Sequence, residues 1–136
     1  MMRTLEVLLK RANQQMDELA GVASETLATR NDVLARRASA EASIEAEAAM
    51  IDSSPLSGMG FAEYLDRQKQ RLTELDGELT VAEQAHDEAK QALMGAFMEV
   101  KKLEALLTRQ QAKALHEQQA REQAEADERS SQNYGR

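Results

Sequence analysis

Two histidines and several tight groups of carboxylates are the side chains in this sequence whose types invite chemistry. A lone imidazole such as His86 or His116 could move a proton or ligate a metal. A metal would need a second His or Cys one helical turn away, and no such residue stands four positions from His86. Glu41, Glu45 and Glu47, or Glu74, Asp76 and Glu78, could be called acid clusters, while Asp87, Glu88 and Lys90 read as surface charge. Acid and base roles need a concave site that excludes water, and these residues fall on stretches with helical spacing, where a solvated face is their ordinary use. The sequence has no phosphate-binding glycine loop, and with no cysteine it has no disulfide, zinc thiolate or thiol nucleophile. No enzyme, metal or cofactor is expected.

The elements that carry these residues explain why a cleft is not expected. Two interleaved rows, each repeating every seven residues, run from 61 to 124 without a proline. One row reads Phe61, Gln68, Leu75, Ala82, Ala89, Ala96, Leu103, Gln110, Glu117, Ala124. The other reads Leu65, Leu72, Leu79, His86, Leu93, Val100, Leu107, Ala114, Arg121. That period belongs to a helix held against another helix in a left-handed supercoil. At 1.5 Å per residue the stretch would be on the order of 95 Å long, more than a globular domain needs. Composition agrees: 3% aromatic residues, no Trp and 30% charged residues can fill a narrow seam but not a broad core. Ala, Glu, Gln, Leu, Lys and Arg dominate and favour helix, so almost no strand is expected.

Charge restricts the partners. A net charge of −7 without a clustered basic surface argues against nucleic acid and against an anionic membrane surface. Residues 1–11 hold only a short apolar run, Leu5, Val7, Leu8 and Leu9, followed at once by Lys10 and Arg11. Both order and length are wrong for a signal peptide or a membrane span, so a soluble, unexported protein with no membrane insertion is expected.

Taken in order, the chain predicts a first helix over 4–51, with Thr4 as its cap and Glu6 favouring the dipole. Its stripe is Leu5, Leu9, Ala12, Met16, Leu19, Ala23, Leu27, then Leu34, Ala38, Ile44, Ala48 and Ile51, with Arg30 and Glu41 in gaps and thinner packing in the second half. Residues 52–60, with Pro55, Gly58, Gly60 and three serines, predict a bend. A second helix is predicted over 61–129 and a disordered tail over 130–136, all in one domain, 1–136. So short a connection makes the helices antiparallel neighbours.

If Ile51 lies beside Phe61, paired residue numbers sum to 112. Leu103 then meets Leu9, Val100 meets Ala12, Ala96 meets Met16, Leu93 meets Leu19 and Ala89 meets Ala23, so large residues mostly face small ones, as a seam without voids requires. The first helix runs out near Leu107, leaving the residues after about Arg109 to overhang. The overhang is prone to helix but polar at Gln110, Glu117 and Arg121, and firm only with a partner. The fold expected is all-α: an antiparallel two-helix coiled-coil hairpin with an overhanging C-terminal helix.

Three features of the seam leave alternatives open. His86 among apolar positions reads as a partly exposed, hydrogen-bonded residue. With Arg30 and Arg37 on the facing helix, it suggests that the seam opens toward solvent there. Met94, Phe97 and Met98 form a soft apolar patch that serves either as core or as a partner contact. Gly21, Gly77 and Gly95 stand inside helices, as flexible points or as tolerated ones.

The long-helix hairpin, the run Lys102-Leu-Glu-Ala-Leu and the run Arg121-Glu-Gln-Ala-Glu-Ala-Asp-Glu together resemble the FliJ family of the bacterial flagellar export apparatus. Arg121, Glu122, Gln123, Asp127 and Glu128 match the family's closing motif, whereas Ala126 and Arg129 depart from its apolar residues. The resemblance implies a cytoplasmic stalk, peripheral at the flagellar basal body. Its open end would insert into the export ATPase hexamer, and it would contact the cytoplasmic domain of the export gate and escort export chaperones. Carried over, the gate contact would fall on Leu75, Leu79, Ala82 and His86, which are also seam positions. The ATPase contact would fall on Leu5, Leu8, Leu103, Leu107 and the run from Arg121 to Glu128. A monomer or weak self-association is expected. The alternatives are a structural homodimeric coiled coil and an injectisome stalk.

Overall fold

The computed structural model describes residues 2–53 and 60–134, and within them the chain is all-helical, with two helices and no strand. Helix α1 spans Met2–Ser53 and helix α2 spans Phe61–Tyr134. Both run past the predicted bounds. Nothing in Met2 or Arg3 opposes helix, so Thr4 lies inside α1 rather than capping it. Residues 130–134, expected in a disordered tail, continue α2, because the first strong breaker after 129 is Gly135. Of the predicted bend 52–60, Asp52 and Ser53 close α1, and 54–59 lie outside the described residues.

Gly60 sets the entry to α2. Its φ of +86° is a left-handed backbone that suits glycine, and its carbonyl accepts the first helical bond from the Tyr64 N–H at 3.1 Å. Glu63 stands in the first turn, where its charge suits the helix dipole.

Contacts divide the chain into two units, Glu18–Leu93 and a second made of Met1–Asp17 with Met94–Arg136. In the first, buried Val33 and Ala40 of α1 cluster with Leu75 and Ala82 of α2, with Leu72 and Leu79 packed against them. In the second, buried Ala12 clusters with Val100 and Leu103, flanked by Leu5, Leu9, Met16 and Leu106. Ala12 and Val100, paired at the predicted register, thus share a cluster. In residues 18–93, Thr26 bonds to His86, Arg36 to Glu78 and Arg37 to Asp76, so residue numbers on α2 fall as those on α1 rise. That order fits a helical hairpin. Full burial of a Leu contributes roughly 1.5 to 3 kcal/mol before ordering entropy is subtracted, and most seam leucines are half-buried, so each gives less. No described side chain falls below 2% exposure, so the seam is thin.

Along α2, both seven-residue rows are buried or half-buried from Phe61 through Ala114 without a slip. Along α1 the prediction holds from Leu5 to Ala23 and again at Ile44, Ala48 and Ile51, but not between. There Leu27, Leu34 and Ala38 are exposed, and the inward positions are Thr26, Arg30, Val33, Arg37 and Ala40. The reason is register. Steps of three and four continue unbroken from Ala23 to Ile44, and a shift toward the leucines would break the match to an uninterrupted α2. Two arginines and a threonine are carried inward instead.

Candidate partner-binding surfaces

The stretch 26–37 of α1 tolerates its polar residues by hydrogen bonding. The Thr26 hydroxyl donates to the Ala23 carbonyl at 3.0 Å, which leaves its oxygen to accept from His86 Nδ1 at 3.0 Å. That pairing needs the ring to carry a proton on Nδ1. His86 is only 7% exposed, so the expected opening to solvent at this residue is absent: Thr26 supplies the partner that water would otherwise provide. Arg30 is half-buried. Its terminal nitrogen Nη2 reaches Asn31 Oδ1 at 3.4 Å, while its Nε is buried with no hydrogen-bond partner.

Arg36 and Arg37 turn outward on their long stems. Arg37 Nε donates to Asp76 Oδ1 at 2.6 Å and Nη1 to Glu41 Oε1 at 2.7 Å. The bond to Asp76 is the main cause of the raised Arg37 pKa. Arg36 bridges Asp32 and Glu78, each at 3.1 Å. The carboxylates Glu41, Asp76 and Glu78, which could have formed acid clusters, are thus engaged in surface ion pairs, and Asp87 pairs with Lys90 at 3.4 Å. Among the described residues no group of three His, Asp or Glu could hold a metal.

The residues expected to face a gate are packed. Leu75, Ala82 and His86 are buried at 4%, 6% and 7% exposure, and Leu79 is half-buried against the same cluster. Within the other unit, Leu103 is buried, Leu5 and Leu107 are half-buried and Leu8 is exposed. Met94, Phe97 and Met98 are exposed, so this patch is surface rather than core, with Lys101 Nζ 5.3 Å from the Phe97 ring centroid.

After Ala114 every described residue of α2 is exposed, including His116. Gln110 and Ala114 are still half-buried, so side-chain cover ends one turn later than predicted. Arg121, Glu122, Gln123, Asp127 and Glu128 lie in this uncovered stretch, held by local bonds from Gln118 to Glu122 at 3.2 Å and from Gln123 to Asp127 at 3.1 Å. Sequence reasoning missed Thr26 and the Arg36 and Arg37 bridges to α2. The unbroken period of α2, carried over to α1, was the signal that would have found Thr26.

Among the described residues no helix is long and apolar enough to cross a membrane. The family model described as "Flagellar FliJ protein" matches residues 2–136. No curated protein and no solved structure matches the chain.

Proposed function

Because the chain belongs to the FliJ family, a family of the flagellar export machinery, we propose that it is a cytoplasmic stalk of that machinery, peripheral at the basal body. In this reading α1 and α2 form an antiparallel coiled coil whose overhanging C-terminal helix enters the ring of the export ATPase. The observation that carries the reading is the stretch after Ala114, helical as far as Tyr134 and exposed at every residue. A helix without cover gains little by folding alone, and its stability rests on whatever packs against it. It carries charges of both signs, with Arg121 and Arg129 on either side of Glu122, Glu125, Asp127 and Glu128, which suits a solvated surface that must turn or slide against several similar subunits. Leu5, Leu8, Leu103 and Leu107 form the base of the inserted end.

For the gate, the proposal rests on the polar content of α1 at Thr26, Arg30 and Arg37. These residues weaken the cover over Leu75, Leu79, Ala82 and His86, so local parting of the helices there would present an apolar row to the gate domain. Escort of export chaperones completes the role. A protein of two long helices acts on such partners by packing and by position, and the reading needs no catalytic residue. The flagellar family match favours this over an injectisome stalk.

The test is a truncation after Ala114. The shortened chain should melt as the full chain does, while stimulation of purified export ATPase falls sharply. Full stimulation by the shortened chain would remove the C-terminal helix from the mechanism. A stable parallel dimer in which residues 1–51 are dispensable would replace the stalk by a structural coiled coil.

A further inference from the structure

Between α1 and α2, within residues 18–93, lies an open groove of about 550 Å³ that the seam does not fill. Its floor is Val33 and Ala82, and its walls are Thr29 on one side and Gly77, Val81 and Ala85 on the other. Val81 is 69% exposed, an apolar side chain turned to solvent in the middle of the groove. Gly77 has no side chain, and a Cβ placed there would meet nothing within 4 Å, so another backbone can approach closely. We propose that this groove docks an amphipathic helix of a partner protein, with a narrow apolar ridge flanked by Lys and Arg.

Charge selects that occupant. The one cation lining the groove is Arg36, already held between Asp32 and Glu78 at 3.1 Å each. Glu25 stands one turn before Thr29 on α1 and Glu88 one turn after Ala85 on α2, and because residue numbers on α2 fall as those on α1 rise, the two carboxylates stand together past one end of the groove. Residues 18–93 together hold 15 Asp and Glu against 7 Lys and Arg, a net of −8, although the whole chain is at −7. A second copy of this chain would set the same carboxylate rim against itself. Its C-terminal helix is no better suited: residues 111–136 hold Lys113, Arg121, Arg129 and Arg136 against Glu117, Glu122, Glu125, Asp127 and Glu128. A helix with basic flanks satisfies both the apolar floor and the acidic rim.

The experiment titrates the full chain with two synthetic helical peptides of about 18 residues that share one Leu/Ala ridge, one flanked by Lys and Arg and the other by Glu. The basic peptide should bind one to one, more weakly as salt rises from about 0.05 to about 0.5 M, and the acidic twin should not bind. Gly77→Leu puts a side chain into the groove from a position where its Cβ meets nothing within 4 Å, and should weaken binding roughly tenfold or more, with a melting temperature equal to or above that of the parent. Val81→Ser, at an exposed position, should weaken binding without altering the melt, and serves if the larger substitution disturbs the fold. Equal binding of both peptides overturns the proposal. So does unchanged binding by both variants, or a dimer of this chain that Gly77→Leu dissolves.

Discussion

The Thr26 hydroxyl and His86 Nδ1 lie 3.0 Å apart although 60 residues separate them in the chain, and the hydroxyl's own proton is committed to the Ala23 carbonyl. One buried histidine is thereby matched to one threonine at a single level of the pair. A shift of either helix would leave a buried ring nitrogen unpaired.

Thr26→Val keeps the shape of the side chain and removes the acceptor. It should destabilise the protein by about 1 to 3 kcal/mol, the range for leaving a buried donor unsatisfied. Replacing both partners, Thr26→Val with His86→Leu, should recover much of that loss. Chemical denaturation of the two single variants and the double variant checks it, and additive losses would show that the two residues do not act as a pair. In the parent, nitrogen NMR of the His86 ring should find the proton on Nδ1.

Arg30 leads to the opposite sign. Its Nε is buried without a partner, so Arg30→Met should stabilise the protein by about 1 to 2 kcal/mol, since an apolar side chain of similar length removes an unsatisfied group. Arg37→Ala breaks two ion pairs on the surface, which solvent screens, and should lower the melting temperature only slightly. Thermal melts of the two variants rank them. Loss of stability in Arg30→Met would mean that its guanidinium has a partner in solution.

Gly21 and Gly95 sit in regular helix with open space where a Cβ would go. Gly21→Ala and Gly95→Ala should each raise stability by roughly 1 kcal/mol. Gly60→Ala should lower it by roughly 1 to 2 kcal/mol, because its φ of +86° is strained for any L side chain. Circular dichroism melts separate the three, and a neutral Gly60→Ala would show that the turn relaxes into another conformation.

Leu93→Asp places a charge at a half-buried seam position and should melt the pair well below the parent temperature. Leu79→Ala with His86→Ala tests the gate proposal. Binding to the purified gate domain should fall by more than the drop in melting temperature accounts for. A proportionate fall in both would leave these residues as seam alone.

The period of α2 was legible because no proline in 61–114 interrupts it: every position of the two rows is buried or half-buried, polar Gln68 and His86 included. In α1 the eye follows hydrophobicity to Leu27 and Leu34, and the structure follows period to Thr26, Arg30 and Val33. Spacing decides because both helices must keep step along their shared length, and two exposed leucines cost less than a lost register. The Arg36 and Arg37 bridges depend on where long flexible stems come to rest, which spacing does not fix. The candidate contact residues were legible as positions, but not as surfaces: three of the four assigned to a gate are buried.

The thinness of the seam also bears on how the protein responds to heat. With no described side chain fully hidden, little apolar area leaves water on folding. The heat-capacity change on unfolding should therefore fall below the usual ~12–15 cal/mol/K per residue. A small heat-capacity change flattens the curve of stability against temperature. The protein should hold nearly constant stability over a broad range, resist cold, and melt gradually, so that calorimetry records a low, wide transition.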